Sequence, residues 1–270
     1  MNPIDSTFET LASKGEGAYI PYVCAGDPDS EFTVDLVRTL CESGADLIEL
    51  GMPFSDPIAD GVAIQGAMKR ALGSGFTPED LIEIVSSVRA EGIRQPLVLM
   101  CYYNTILQKG IEGFCTSLAD AGVNGLLVVD LPIEESGEIE EILYDNGLHP
   151  IRLIAPSTPE PRLHQILSKA TGFAYLVSVS GTTGARDFLD PSTLSLLRRV
   201  SSISRLPVVL GFGISKPSHA RQAFENGAAG VVEGSKLITI YENSEREEAL
   251  ASIARHATLM KNAMRPGLDV

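Results

Sequence analysis

The chain has 270 residues, 44% of them apolar, enough to fill a large core and ordinary for an eight-fold α/β barrel. Lysine and arginine number 21 against 35 aspartates and glutamates, a formal net charge of −14 that argues against nucleic-acid or anionic-membrane binding. The charge also repels an anionic substrate at long range, so any phosphate must be held by local donors.

No run approaches the roughly 18 apolar residues of a membrane helix. The opening MNPIDSTFETLASKGEG is polar and acidic where a signal peptide carries its apolar stretch. A soluble, cytoplasmic protein is expected. Cys24, Cys41, Cys101 and Cys115 form no CxxC pair, and the four histidines form neither HxH nor HExxH. Buried free thiols and no metal site are expected.

In chain order, a helix around 8–13 is expected first, placed to close a barrel floor. A strand at 18–23 leads to a helix at 31–43, and a strand at 46–50 to a helix at 78–91. Strands at 97–102, 125–129, 149–153 and 173–177 precede helices at 111–121, 134–146, 161–170 and 191–200. Strands at 208–211 and 230–233 flank a helix at 216–226, and a long final helix covers 244–263. Glycines past four helices, Gly44, Gly122, Gly147 and Gly227, punctuate the boundaries. Ser215 before Lys216-Pro217 reads as a helix cap. Eight strands alternating with helices imply parallel pairing through right-handed crossovers. The expected fold is a single (β/α)8 TIM barrel over 1–270 with an extra N-terminal helix. A doubly wound sheet is the runner-up.

Barrel active sites lie at the carboxyl ends of the strands. The second strand ends Leu47-Ile48-Glu49-Leu50-Gly51. Alternation separates Leu47 and Glu49 from Ile48 and Leu50. If the apolar pair meets the helices, Glu49 points into the mouth, where desolvation suits it to proton transfer. An interior ion pair is the competing reading. Asp60 ends the following loop and reads locally as a turn residue or cap, but two carboxylates on one unit can divide acid and base roles. Asp56 competes for that role, and spacing does not choose between them.

Three late loops are glycine-rich: Ser180-Gly181-Thr182-Thr183-Gly184, Gly211-Phe212-Gly213-Ile214-Ser215 and Glu233-Gly234-Ser235. Loops after strands seven and eight are a frequent barrel phosphate site, where backbone amides bind an anion without lysine. The stretch 182–188 has the composition of a lid. Tyr22, Met100, Tyr175 and Phe212 stand at strand ends, where core packing competes with an apolar pocket wall.

Tyr19-Ile20-Pro21-Tyr22, Ala25-Gly26-Asp27-Pro28, LIELGMPFSDPIADG over 47–61, Asp130-Leu131-Pro132 and the first two glycine-rich loops together resemble the tryptophan synthase alpha chain family. The likeness runs from about Phe8 to the final helix, and 49–60 is its most specific part. It implies reverse-aldol cleavage of indole-3-glycerol phosphate to indole and glyceraldehyde 3-phosphate, without metal or organic cofactor. Glu49 matches the proton-transferring acid/base and Asp60 the carboxylate that engages the indole N–H. Tyr175 matches a tyrosine beside Glu49, and Thr183 a lid residue organising Asp60. Gly184, Gly213, Gly234 and Ser235 match the phosphate cradle, and Tyr22, Met100 and Phe212 the indole pocket.

The resemblance also implies a pyridoxal-phosphate beta chain as partner in an alpha2beta2 heterotetramer, contacted through Asp56, Pro57, Asn104 and Pro132. Cys24 stands where threonine is common, and Thr105 where proline is common. Glu233 and Lys236 flank the Gly234-Ser235 motif in place of small or apolar residues. Glu233 is expected to point away from the phosphate and to pair with Lys236. A different phosphosugar enzyme, a purely allosteric barrel and a stand-alone lyase releasing free indole are the competing readings.

Overall fold

The computed structural model describes residues 1–178 and 188–267. Helix α1 (Pro3–Lys14) precedes β1 (Ala18–Cys24), α2 (Ser30–Glu42) and β2 (Ile48–Gly51). Helices α3 (Val62–Gly73) and α4 (Pro78–Ala90) lead to β3 (Leu97–Cys101), α5 (Tyr103–Lys109) and α6 (Ile111–Ala121). Then come β4 (Gly125–Val128), α7 (Gly137–Asp145), β5 (His149–Ile154), α8 (Glu160–Lys169) and β6 (Ala174–Val177). The chain continues through α9 (Pro191–Ile203), β7 (Val208–Gly211), α10 (Pro217–Glu225), β8 (Gly230–Glu233), α11 (Ser235–Tyr241) and α12 (Arg246–Ala263).

Each strand pairs in parallel with the next and β8 returns to β1, so the sheet closes into the expected barrel. The doubly wound alternative is excluded by that closure. Apolar residues buried on both faces of each strand are what a parallel sheet under helices requires. Gly44, Gly122, Gly147 and Gly227 all take positive φ past their helices, as expected. Ser215 is not the cap of α10: Lys216 is, without a side-chain bond, and Pro217 opens the helix.

Three helices escape a reading based on periodicity. Helix α3 carries an internal Gly66 and is preceded by Gly61, which supplies no capping side chain. Helices α5 and α11 have seven residues each and no side-chain cap. All three follow the carboxyl ends of strands, so they surround the mouth.

Helix α1 closes the opposite end. Ile4 is fully buried under the barrel, and Phe8 packs on Phe173 with ring centroids 5.6 Å apart. The seam between β1 and β8 is covered by α12. There His256 Nε2 lies 2.8 Å from Glu233 Oε1. The buried Lys261 ammonium donates to Asp46 Oδ2 at 3.0 Å and to the Gly17 carbonyl at 3.1 Å. Gly17 N–H donates to the Met264 carbonyl at 2.8 Å.

Candidate active site

One cavity of about 880 Å³ opens at the carboxyl ends of the strands, within the range that buries a small organic ligand. Tyr22, Glu49, Asp60, Met100, Tyr175, Phe212, Gly213, Gly234 and Ser235 all line it. Thr183, Gly184 and the expected lid stretch through 187 lie outside the described residues.

Glu49 stands in register between Tyr22 of β1 and Val98 of β3. It is 2% exposed, and burial, reinforced by the nearby Asp60 charge, pushes its carboxyl up to about 8. At neutral pH such a group holds a proton it can give away. Asp60 is also buried. Burial raises its pKa, while a hydrogen bond from Tyr102 works in the opposite direction. That bond is short, 2.6 Å from the Tyr102 hydroxyl to Asp60 Oδ2. The other oxygen, Oδ1, is buried with no hydrogen-bond partner among the described residues. A buried acceptor left open in a cavity wall is a site where a ligand N–H can be received. Asp56, the competing carboxylate, is exposed and does not line the cavity.

Tyr102 is the site residue that sequence reading missed. Its ring stacks on Phe54 at 4.7 Å and 16°, and its hydroxyl accepts the Ala59 N–H at 3.0 Å while donating to Asp60. One side chain at the end of β3 therefore organises the whole loop after β2. The backbone adds a bond from Asp60 N–H to the Pro57 carbonyl at 3.1 Å. Ser178 was missed as well. It follows β6, lines the cavity, and would stand 3.5 Å from a side chain added at Gly213.

Two tyrosines cross the mouth because glycine ends the neighbouring strand. A Cβ on Gly51 would lie 2.0 Å from the Tyr22 hydroxyl, and one on Gly211 would lie 2.2 Å from the Tyr175 ring. Gly211→Ala is therefore expected to destabilise the fold by about 1–3 kcal/mol, since a buried ring must move. Thermal unfolding checks this, and an unchanged midpoint would contradict the close approach. The chain then turns through Phe212 at φ 67°, the one non-glycine residue with positive φ among the described residues. Strain of this kind gathers at binding sites.

The family model described as tryptophan synthase alpha chain matches residues 8–265. The chain belongs to the tryptophan synthase alpha chain family. The alpha chain of Carboxydothermus hydrogenoformans is 43% identical over 267 residues, covering 97% of this chain and 99% of that protein. A crystal structure of the Legionella pneumophila alpha subunit superposes with a TM-score of 0.90 at 35% identity, covering 98% of both chains. A chain from the Pyrococcus furiosus study of mutual activation in the tryptophan synthase α2β2 complex gives 0.84 at 40% identity, covering 91% of this chain and 98% of its own.

Against that family, the four departures have local explanations. Cys24 is fully buried, and burial raises its thiol pKa, so it packs as a small neutral group. Thr105 lies in the first turn of α5 and donates its N–H to the Tyr102 carbonyl at 3.1 Å, a bond proline has no hydrogen to make. Glu233 does point away from the cavity, but its expected pairing with Lys236 is not formed. It is fully buried, accepts the Tyr19 hydroxyl at 2.8 Å and meets His256 on α12. Strand alternation explains this, since Val232 takes the inward position. Lys236 is exposed at the cavity mouth.

Of the residues assigned to a partner contact, Asp56, Asn104 and Pro132 are exposed and Pro57 is half-buried. The three segments that carry them are linked. Tyr102 ties the β2 loop to the end of β3, and Asp130 Oδ1 accepts the Tyr103 N–H of α5 at 2.8 Å. Ile58 stands 87% exposed among them.

Proposed function

We propose that this chain cleaves indole-3-glycerol phosphate to indole and glyceraldehyde 3-phosphate, as the lyase subunit of tryptophan synthase. The observation that carries the reading is the pair of buried carboxylates in one cavity, one held protonated and the other with an open acceptor atom.

In this reading Asp60 Oδ1 accepts the indole N–H, and the fixed charge stabilises the cation that forms on the ring. Glu49 donates its proton to the ring carbon bearing the side chain. The resulting Glu49 carboxylate then removes the proton from the adjacent side-chain hydroxyl. The carbon–carbon bond breaks, its electron pair returns to the ring, and the hydroxyl becomes the aldehyde of glyceraldehyde 3-phosphate. Glu49 ends protonated, ready for the next cycle. Tyr22, Met100, Tyr175 and Phe212 form the apolar wall for the flat ring. Gly213, Gly234 and Ser235, with Gly184, receive the phosphate, and Thr183 supports Asp60.

The partner in this reading is a beta chain, docked on Asp56, Pro57, Asn104 and Pro132. Exposed Ile58 beside them favours an apolar contact. Because Asp60 is bonded through its backbone to Pro57 and through its side chain to Tyr102, a partner that orders this loop orders the catalytic carboxylate.

Indole release from indole-3-glycerol phosphate, with and without a tryptophan synthase beta chain, tests both parts. Slow release that rises sharply with the beta chain is expected. Absence of indole in both conditions defeats the reading, and a full rate without partner favours a stand-alone lyase. Tyr102→Phe is expected to lower turnover about tenfold, the loss of one charge-assisted hydrogen bond. Removing that bond raises the Asp60 pKa further, so the acid limb of the pH–rate profile moves to higher pH. An unmoved acid limb would contradict the role of Tyr102.

A further inference from the structure

We propose that Lys236 binds the phosphate of the substrate and makes the enzyme selective for phosphorylated over unphosphorylated ligands. The inference rests on the proposed reaction and assigns it a side chain that supplies charge where the glycine cradle supplies none.

Four carboxylates, Glu49, Asp60, Asp190 and Glu242, line the cavity, and Lys236 is the one lysine or arginine among the described lining residues. A phosphate dianion approaching a chain of net charge −14 meets a net repulsive field at long range. Lys236 follows Ser235 directly. Helix α11 buries Leu237, Ile238 and Tyr241, so Lys236 and Thr239 share the face that lines the cavity. The Thr239 hydroxyl donates to the Lys236 carbonyl at 2.7 Å, which steadies the turn from which the lysine projects.

The neighbouring anions leave the ammonium available. Glu233 faces the other side of β8, held by Tyr19 and His256. Glu242 lies 3.6 Å from Arg70. Lys236 makes no ion pair with any described residue. An ammonium on a flexible stem next in sequence to Ser235, lining the same cavity as Gly213, has the reach and charge for direct hydrogen bonds to phosphate oxygens. Such a contact is made equally in the ground and transition states, because the phosphate stays remote from the breaking bond. It therefore lowers KM and leaves kcat alone.

The test combines steady-state kinetics with calorimetric titration of inorganic phosphate, on the wild-type chain and on Lys236→Gln and Lys236→Arg. Lys236→Gln is expected to raise KM for indole-3-glycerol phosphate and Kd for phosphate about tenfold each, with kcat changed less than about twofold. Lys236→Arg retains both affinities, and the salt dependence of KM becomes shallower in the glutamine variant. KM for unphosphorylated indole-glycerol stays the same in all three proteins. An unchanged phosphate Kd and KM in Lys236→Gln overturns the inference, as does a lowered kcat at constant KM. A wild-type chain that binds phosphate through Lys236 yet forms no indole defeats the proposed reaction and leaves the phosphate contact standing.

Discussion

Glu49→Gln is expected to reduce indole formation by about 10³-fold or more, the upper part of what one acid/base group contributes, while substrate still binds. Glutamine keeps the shape of the side chain and removes the proton that reaches the ring carbon. Substantial residual turnover would overturn the assignment of Glu49. The pH dependence gives a second handle. With the Glu49 carboxyl pushed up to about 8, kcat/KM of the wild-type chain falls as pH rises through that value and the donor loses its proton.

The same shift has a stability consequence of definite sign. Below pH about 4 the carboxyl is protonated in both folded and unfolded states and costs nothing. Between there and pH about 8 the unfolded chain has ionised while the folded chain still holds the proton, so the folded state loses relative stability as pH rises. Above that window the loss is constant. Glu49→Gln is thus expected to raise the unfolding midpoint little at pH 5 and most at pH 8 and beyond. Equal effects at the two ends of the range would show that Glu49 titrates normally.

Asp60→Asn is expected to lower kcat by about 10²–10³, as loss of a preorganised charge stabilising the transition state does elsewhere. Asparagine still accepts an N–H, so binding of the indole ring falls less than turnover. Because the Asp60 charge helps hold the Glu49 pKa high, its removal lets that pKa fall. The alkaline limb of the residual activity therefore moves to lower pH, and the acid limb disappears. A profile with both limbs in place would mean that Asp60 is not the group titrating on the acid side.

The strands were legible because each is a short apolar run bounded by turn residues, and every expected strand is present with its ends shifted by at most two residues. Glu49 was legible for a related reason: a carboxylate interrupting an apolar strand at its carboxyl end has few places to go except the barrel mouth. The choice between Asp56 and Asp60 was not legible from spacing, because both lie in one irregular loop. It is set by Tyr102, whose hydroxyl reaches across 42 positions of sequence to one of them. Tyr102 itself reads as the continuation of β3, and nothing local marks it as the cap of α5. The Glu233 pairing failed for the same reason. Proximity in sequence favoured Lys236, whereas the true partners lie 214 and 23 residues away on β1 and α12.

The helix that covers the seam also bears on how the barrel is made. Strand β1 and strand β8 are the first and last to leave the ribosome, and they must pair. Until α12 follows, Glu233 lacks His256, and Asp46, just ahead of β2, lacks Lys261. A nascent chain ending near residue 241 therefore carries all eight strands, with buried Glu233 and half-buried Asp46 still without their imidazole and ammonium partners on α12. The β1–β8 junction thus gains its covering contacts only once α12, Arg246–Ala263, has been made.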